Sequence, residues 1–289
     1  MVDIIIIGAG IAGMTSALYA ARSGKSVLLI DNNNFGGQII NSNEVDNYPG
    51  IKSIDGFTLM KNLYDQVMSY DVKKIDEEVI GLKDNNTVIT TNGEYVGKTI
   101  IIASGLVNRT LPVLDNISGI SYCAMCDGNF YRNRDVLVVG GGNTAFEDVI
   151  YLSNIVNKVY LINRRNEFRA DKVLVDKVLN ISNIEVITPA NISEVKGNVG
   201  AFEVLLDNGD TLNVSGIFLA IGKIPNTSMF KDIIDLDEAG YIVSDDCRTN
   251  VENIFVAGDV RTKNVRQLIT AASDGAIAAT LAEDYLNKN

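Results

Sequence analysis

One pattern occurs twice in this chain and limits its fold more than any other feature. DIIIIGAGIAG (Asp3–Gly13) returns as DVLVVGGGNTA (Asp135–Ala145), each a short β-branched apolar run ending in glycines at fixed spacing. A helical pattern follows each, MTSALYAARSG after the first and FEDVIYLSNIVN after the second. Another apolar run then follows, SVLLID (Ser26–Asp31) and KVYLIN (Lys158–Asn163). Strand, glycine-rich turn, helix, strand is the unit of an α/β domain whose turn cradles a pyrophosphate. The first glycine allows the tight turn, the second lets the backbone approach the phosphates, and the third position must be small so that helix and strand can pack. The helix N-terminus then offers free N–H groups and a favourable dipole. Gly8, Gly10 and Gly13 fill these places in the first copy. Gly140, Gly142 and Ala145 fill them in the second, with Asn143 and Thr144 opening its helix. One such fingerprint is weak evidence; two copies, each between strand and helix, predict two dinucleotide-binding domains.

The copies differ where the nucleotide ribose lies. The second strand of the first copy ends in Asp31, a carboxylate able to accept hydrogen bonds from ribose hydroxyls. The matching residue of the second copy is Asn163, followed at once by Arg164 and Arg165 and soon after by Arg169. A carboxylate repels a 2′-phosphate, whereas guanidinium groups match its geometry. The first site therefore reads as one for a non-phosphorylated adenosine, as in FAD, and the second as one for NADP.

Formal net charge is −11, which disfavours nucleic acid as a partner and gives anionic membranes no attraction. No run approaches the roughly 20 apolar residues that span a bilayer. The opening MVDIIIIGAG lacks the basic leader and cleavage site of a signal peptide, so a cytoplasmic location is expected. In that compartment a Cys-x-x-Cys pair, here Cys123 and Cys126 in SYCAMCDG, is more often redox-active or metal-binding than a static staple. The chain has no histidine, so imidazole serves neither as base nor as metal ligand.

With these motifs in place, the chain resembles the low-molecular-weight thioredoxin reductases, FAD- and NADPH-dependent pyridine nucleotide-disulfide oxidoreductases. GAGIAG, FGGQI with EVDNYPG, CAMCDG, GGGNTAFED, NRRNEFRA, GIFLAIGKIPNT and IFVAGDVRTKNVRQLITAASDG follow family order over nearly the whole length; the family usually writes His-Arg-Arg where this chain has Asn163-Arg164-Arg165. The resemblance implies an α/β fold of two Rossmann-like, three-layer ββα domains, the second inserted into the first. Residues 1–107 and 227–289 would form the FAD-binding domain, and 108–226 the NADPH-binding domain carrying the cysteine pair. It also implies a homodimer that passes electrons from NADPH through FAD and the cysteines to thioredoxin or a thioredoxin-like protein. By the same resemblance Gly36, Gly37 and Gln38 form a flavin-binding loop, and Asn47 lies against the flavin. Gly258 and Asp259 approach the ribityl and phosphate groups, while Arg266 and Gln267 contact the flavin at the start of a long helix beginning near Val265. The polar stretch from Asp71 to Glu94 reads as a small antiparallel insertion. Three other readings stay open at this stage: the same reductase fed by ferredoxin, a ferredoxin–NADP reductase, and a non-catalytic flavin-binding redox module.

The cysteine pair can then be narrowed. Zinc needs about four ligands, thiolate or imidazole in structural sites. The chain has one further cysteine, Cys247, and no histidine, so no metal site is expected and a reversible redox pair is. By resemblance, Cys126 takes electrons from the flavin, Cys123 attacks thioredoxin, and Asp127 gives and takes protons. Because cysteines and NADPH must meet the same flavin, the crossovers Leu106–Pro112 and Gly222–Thr227 are expected to be hinges.

Overall fold

The structure, a computed structural model, describes residues 1–32, 35–42 and 44–288. The chain divides into two compact units, one formed by Met1–Val107 with Ile224–Asn289 and the other by Asn108–Lys223.

The first unit opens with β1 (Val2–Ile7), α1 (Ile11–Arg22) and β2 (Val27–Asp31), followed by α2 (Gly56–Met68) and β3 (Val72–Asp76). β1 ends in four consecutive isoleucines because both its faces are covered there, as in a parallel sheet. Ile4 and Ile6 pack with α1, α2 and the C-terminal helix, while Ile5 and Ile7 enter a separate core on the other face. That second core is closed by β4 (Val79–Leu82), β5 (Thr87–Thr90) and the segment containing Phe230, Ile234 and Ile242. β6 (Gly93–Ile102) serves both layers. Its start pairs antiparallel with β5, and from Gly97 onward it runs parallel to β1, with Ile7 opposite Ile102. The order β3-β2-β1-β6-β5-β4 therefore joins a parallel sheet to the small antiparallel insertion expected between Asp71 and Glu94.

The second unit repeats the scheme. It follows β7 (Leu106–Asn108) with β8 (Ile120–Ser121), α3 (Ala124–Asp127), β9 (Asp135–Val139), α4 (Asn143–Ser153), β10 (Lys158–Ile162), α5 (Lys172–Leu179) and β11 (Ile184–Ile187). A three-stranded antiparallel layer follows, β12 (Ile192–Asn198), β13 (Ala201–Leu206) and β14 (Thr211–Val214), and then β15 (Gly216–Leu219). The parallel sheet runs β11-β10-β9-β15-β8. Val136 and Val138 of β9 face the α4 side, whereas Leu137 and Val139 face the antiparallel layer. Both units are thus three-layer ββα sandwiches, and the second is inserted into the first.

The chain returns through β16 (Lys223–Pro225), which pairs with β7. The return crossing therefore lies at Lys223–Ile224 instead of after residue 226. β17 (Ile254–Val256) adds to the first sheet beside β6, and α6 (Leu268–Lys288) closes it. α6 begins at Leu268, not Val265, because the Thr270 hydroxyl turns back on the chain before it. That hydroxyl accepts from the Gln267 N–H at 3.1 Å and lies 3.0 Å from the Gln267 carbonyl. No described helix is long and apolar enough to cross a membrane.

Candidate functional site

In the first unit the glycine turn forms one wall of a cleft of about 720 Å³, within the ~300–1,000 Å³ usual for cofactor sites. Close packing dictates two of its glycines. A Cβ on Gly8, whose φ is +105°, would fall 2.3 Å from the Ala103 carbonyl oxygen, and one on Gly13 would fall 1.8 Å from that of Gly8. Gly10 is different: its Cβ would meet nothing within 4 Å, so its surface faces open cleft. Gly10 also caps α1, with no side chain on the helix's free N–H groups and no acid in its first turn. An uncapped N-terminus of this kind favours an anion. Asp31 lies at the end of β2 on the cleft wall and accepts the Ala9 N–H at 2.5 Å. The donors, the open surface at Gly10 and the carboxylate fit the pyrophosphate and ribose of a flavin dinucleotide.

Gly36, Gly37, Gln38, Gly258, Asp259 and Gln267 line the same cleft. Asn47 is not on its wall but donates from Nδ2 to Oε1 of Gln267 at 3.2 Å. Arg266 turns elsewhere: its guanidinium stacks 4.1 Å from the Tyr241 ring centroid and bonds the carbonyls of Asp259 and Arg261. Its placement braces the Gly258–Arg261 turn. The cleft also has residues that no motif announced, among them Glu77, Glu78 and Ser104, and it includes Asn226 of the GIFLAIGKIPNT segment. Ser104 Oγ donates to the Asn226 carbonyl at 2.7 Å, and the Asn226 N–H donates to that of Gly105 at 3.0 Å. These bonds tie the outgoing chain to the returning one.

In the second unit Gly142 caps α4 as Gly10 caps α1, again without a side-chain cap, and a Cβ there meets nothing within 4 Å. Ala145, at the third position, is fully buried. Asn143 uses both ends of its amide on Asp171, donating to Oδ2 at 3.0 Å and accepting the backbone N–H at 2.8 Å, while Thr144 is exposed. The arginine segment folds back onto this turn, because the N–H groups of Arg169 and Ala170 both donate to the Gly141 carbonyl, at 2.7 and 3.2 Å. Arg164, Arg165 and Arg169 are exposed. The turn and the guanidinium groups are thus side by side, an arrangement that suits a phosphorylated nucleotide.

The cysteine pair belongs to the same unit. Cys123 and Cys126 form a disulfide, S–S 2.02 Å, with Cys123 capping α3 and its Sγ accepting the Cys126 N–H at 3.2 Å. The Ser121 hydroxyl links the cysteines to Asp127: it donates to Asp127 Oδ2 at 2.7 Å and accepts the Cys123 N–H at 3.2 Å. Both cysteines and Asp127 are half-buried. Below them Tyr131 packs edge-on against Phe218; burial, and then the Asp127 charge, push its phenol above the ordinary range. Cys247 stands apart, fully buried in the first unit, where burial pushes its thiol up to about 12, so it is inert at neutral pH. Among the described residues there is no cluster of metal-ligating side chains.

The pyridine nucleotide-disulphide oxidoreductase profile matches residues 2–276. The chain belongs to this family. It is 37% identical to thioredoxin reductase of Peptoclostridium acidaminophilum over 99% of this chain and 98% of that protein. It is 40% identical to the thioredoxin reductase of Buchnera aphidicola subsp. Schizaphis graminum over 98% and 97%. Among solved structures it is similar to Lactococcus lactis thioredoxin reductase in its FR conformation, with TM-score 0.82, 35% identity and all of both chains covered. For the T. acidophilum enzyme the values are 0.78 and 34%, with 99% of each chain covered. Oxidoreductase chemistry with a flavin and a pyridine nucleotide is the property of this family. The two glycine turns and the disulfide are the features of this chain that fit it.

One titrating carboxylate, at the end of the GGGNTAFED motif, was given no role by it. Burial, reinforced by the Glu147 charge, pushes Asp148 of α4 up to about 6. An acid whose folded pKa is raised above its unfolded one costs stability progressively as pH rises from the unfolded value to the folded one, and the cost is full above that. Asp148→Asn is therefore expected to stabilise the protein by about 1–3 kcal/mol at pH 8, with a smaller gain at pH 5. Urea unfolding at both pH values checks this; an equal gain at both would mean that the carboxyl does not titrate in this range.

Proposed function

We propose that this chain is an NADPH-dependent thioredoxin-disulfide reductase that binds FAD in the first unit. The observation that carries the reading is the half-buried Cys123–Cys126 disulfide joined through Ser121 to Asp127. Support comes from a glycine turn ending at Asp31 in one unit, and from one flanked by three arginines in the other.

In this reading Gly8, Gly10 and the N-terminus of α1 hold the pyrophosphate of FAD, Asp31 its ribose, and Gly258 and Asp259 the middle of the molecule. When bound, the flavin relays two electrons from the nicotinamide to the disulfide. Gly140, Gly142 and α4 hold the NADPH pyrophosphate, and Arg164, Arg165 and Arg169 its 2′-phosphate. Two electrons and two protons open Cys123–Cys126 to a pair of thiols. The Cys123 thiolate attacks one sulfur of the thioredoxin disulfide, forming a mixed disulfide and releasing one thioredoxin thiolate. Cys126 then attacks Cys123 Sγ, which releases the second thiolate and closes the pair again. Asp127 accepts and returns one proton at a time between the thiols and solvent, its carboxylate bonded by the Ser121 hydroxyl. A homodimer in the cytoplasm belongs to the same reading.

An anaerobic titration tests it. The FAD-saturated protein is mixed separately with NADPH, NADH and reduced ferredoxin while flavin absorbance is followed, and oxidised thioredoxin is then added. Bleaching by near-stoichiometric NADPH and recovery with thioredoxin are expected. Reduction by ferredoxin with no response to NADPH would overturn the donor assignment.

A further inference from the structure

We propose that Asn163 is a specificity-determining residue of the second nucleotide site: its side-chain amide clasps the arginine loop against the glycine turn and so presents the guanidinium groups to a 2′-phosphate. The inference rests on the NADPH reading and adds the device that places its cations.

The two copies of the repeat solve the same position differently. In the first, Asp31 accepts the N–H of Ala9, the residue after the first turn glycine. In the second, Asn163 stands in for Asp31 and Gly141 for Ala9. Nδ2 of Asn163 donates to the carbonyl of Arg165 at 2.6 Å and to that of Glu167 at 3.1 Å. Only a donor can do this, since a carboxylate would turn its negative oxygens toward two carbonyl oxygens. The rest of the amide occupies space that a side chain at 141 would need: a Cβ there would fall 2.5 Å from Asn163 Oδ1 and 2.7 Å from its Cγ. Gly141 and Asn163 are therefore a matched pair, as Ala9 and Asp31 are.

The far end of the loop is fixed as well. Gly141 accepts the N–H groups of Arg169 and Ala170, and Phe168 packs edge-on against Phe146 of α4, ring centroids 4.9 Å apart. Held at both ends, the loop leaves its arginines on the exposed side. Among the described residues, Arg164, Arg165 and Arg169 take part in no ion pair. A loop whose backbone is already held, with its cations not paired with acids, loses less freedom when an anion binds.

The test is calorimetric and needs no turnover. The FAD-saturated full chain is titrated with adenosine 2′,5′-bisphosphate and with 5′-AMP, as wild type, Asn163→Ala and Asn163→Asp. The wild type is expected to prefer the bisphosphate. Asn163→Ala is expected to cut that preference by roughly five- to thirtyfold, the worth of two hydrogen bonds, with 5′-AMP affinity unchanged. The retained 5′-AMP binding also reports an intact turn. Asn163→Asp, isosteric but without the donor, is expected to cut it at least as far. A preference that survives Asn163→Ala overturns the clasp alone. So does a loss confined to Asn163→Asp, which would mean direct charge repulsion, or an equal loss of 5′-AMP binding. A wild type with no preference for the bisphosphate overturns the NADPH reading itself.

Discussion

Serine at either position 123 or 126 is expected to lower turnover with thioredoxin by about 10³-fold or more, while NADPH still bleaches the bound flavin. The asymmetry lies in what remains. A disulfide exchange needs one thiolate to attack and a second to resolve the mixed disulfide. In Cys126→Ser the attacking thiol survives without its resolver, so incubation with an oxidised thioredoxin should trap a covalent complex visible on a non-reducing gel. In Cys123→Ser the inner thiol survives without the attacker, and no complex should form. Trapping by Cys123→Ser instead would exchange the two roles, and turnover surviving in either variant would remove the pair from the reaction. Serine is close in size to cysteine, and the half-buried setting leaves α3 its cap, because a hydroxyl at 123 can still accept the residue 126 N–H that Sγ accepts at 3.2 Å. The loss would therefore report chemistry and not unfolding.

What the sequence made legible is local. A strand buried on both faces reads as an unbroken run of isoleucine, and a turn that must admit a pyrophosphate reads as glycine at fixed spacing, so both sandwiches and both turns could be placed before any coordinates. Asp127 draws attention in the sequence because it adjoins the cysteines, whereas Ser121, the hydroxyl that bonds it in the fold, carries no signature of its own. Features made by distant segments were not legible. Glu77, Ser104 and Asn226 reach the cleft only because β3, β6 and the returning chain end at the same edge of the first sheet. Arg266 shares a motif with Gln267, yet Tyr241, from a loop far away in sequence, draws its guanidinium onto an aromatic face. Asn143 shows the same limit: it opens the helix after the second glycine turn, and in the fold both ends of its amide are taken by Asp171.

The most consequential of these long-range features is the ion cluster at Asp274, and its removal is expected to have the largest effect on stability. Asp274 of α6 has only 6% of its side chain exposed and accepts from Arg261 at 2.9 and 3.0 Å, from Lys263 at 2.7 Å and from the Gly258 N–H at 3.1 Å. Asp274→Ala leaves two buried cations without a counter-charge, a change that costs about 3–5 kcal/mol. Replacing all three residues by apolar ones of similar size should cost far less, because no charge is then stranded. The pH dependence follows from the carboxyl. Burial pushes it up, but the hydrogen bonds and charges of Arg261 and Lys263 outweigh that and hold it below the ordinary range. A depressed acid stabilises the fold above its unfolded pKa and loses that contribution as pH falls through the folded value. The gap between wild type and Asp274→Ala should thus be constant from neutral pH down to about 5 and close below about 4. The same carboxylate holds the amide of Gly258 on the cleft wall, so the variant should also release FAD more readily at pH 7, as measured by flavin fluorescence on dilution. Urea unfolding of the wild type and the two variants across this range decides the matter. If Asp274→Ala and the triple apolar variant lose equal stability, the cost is one of packing and not of stranded charge.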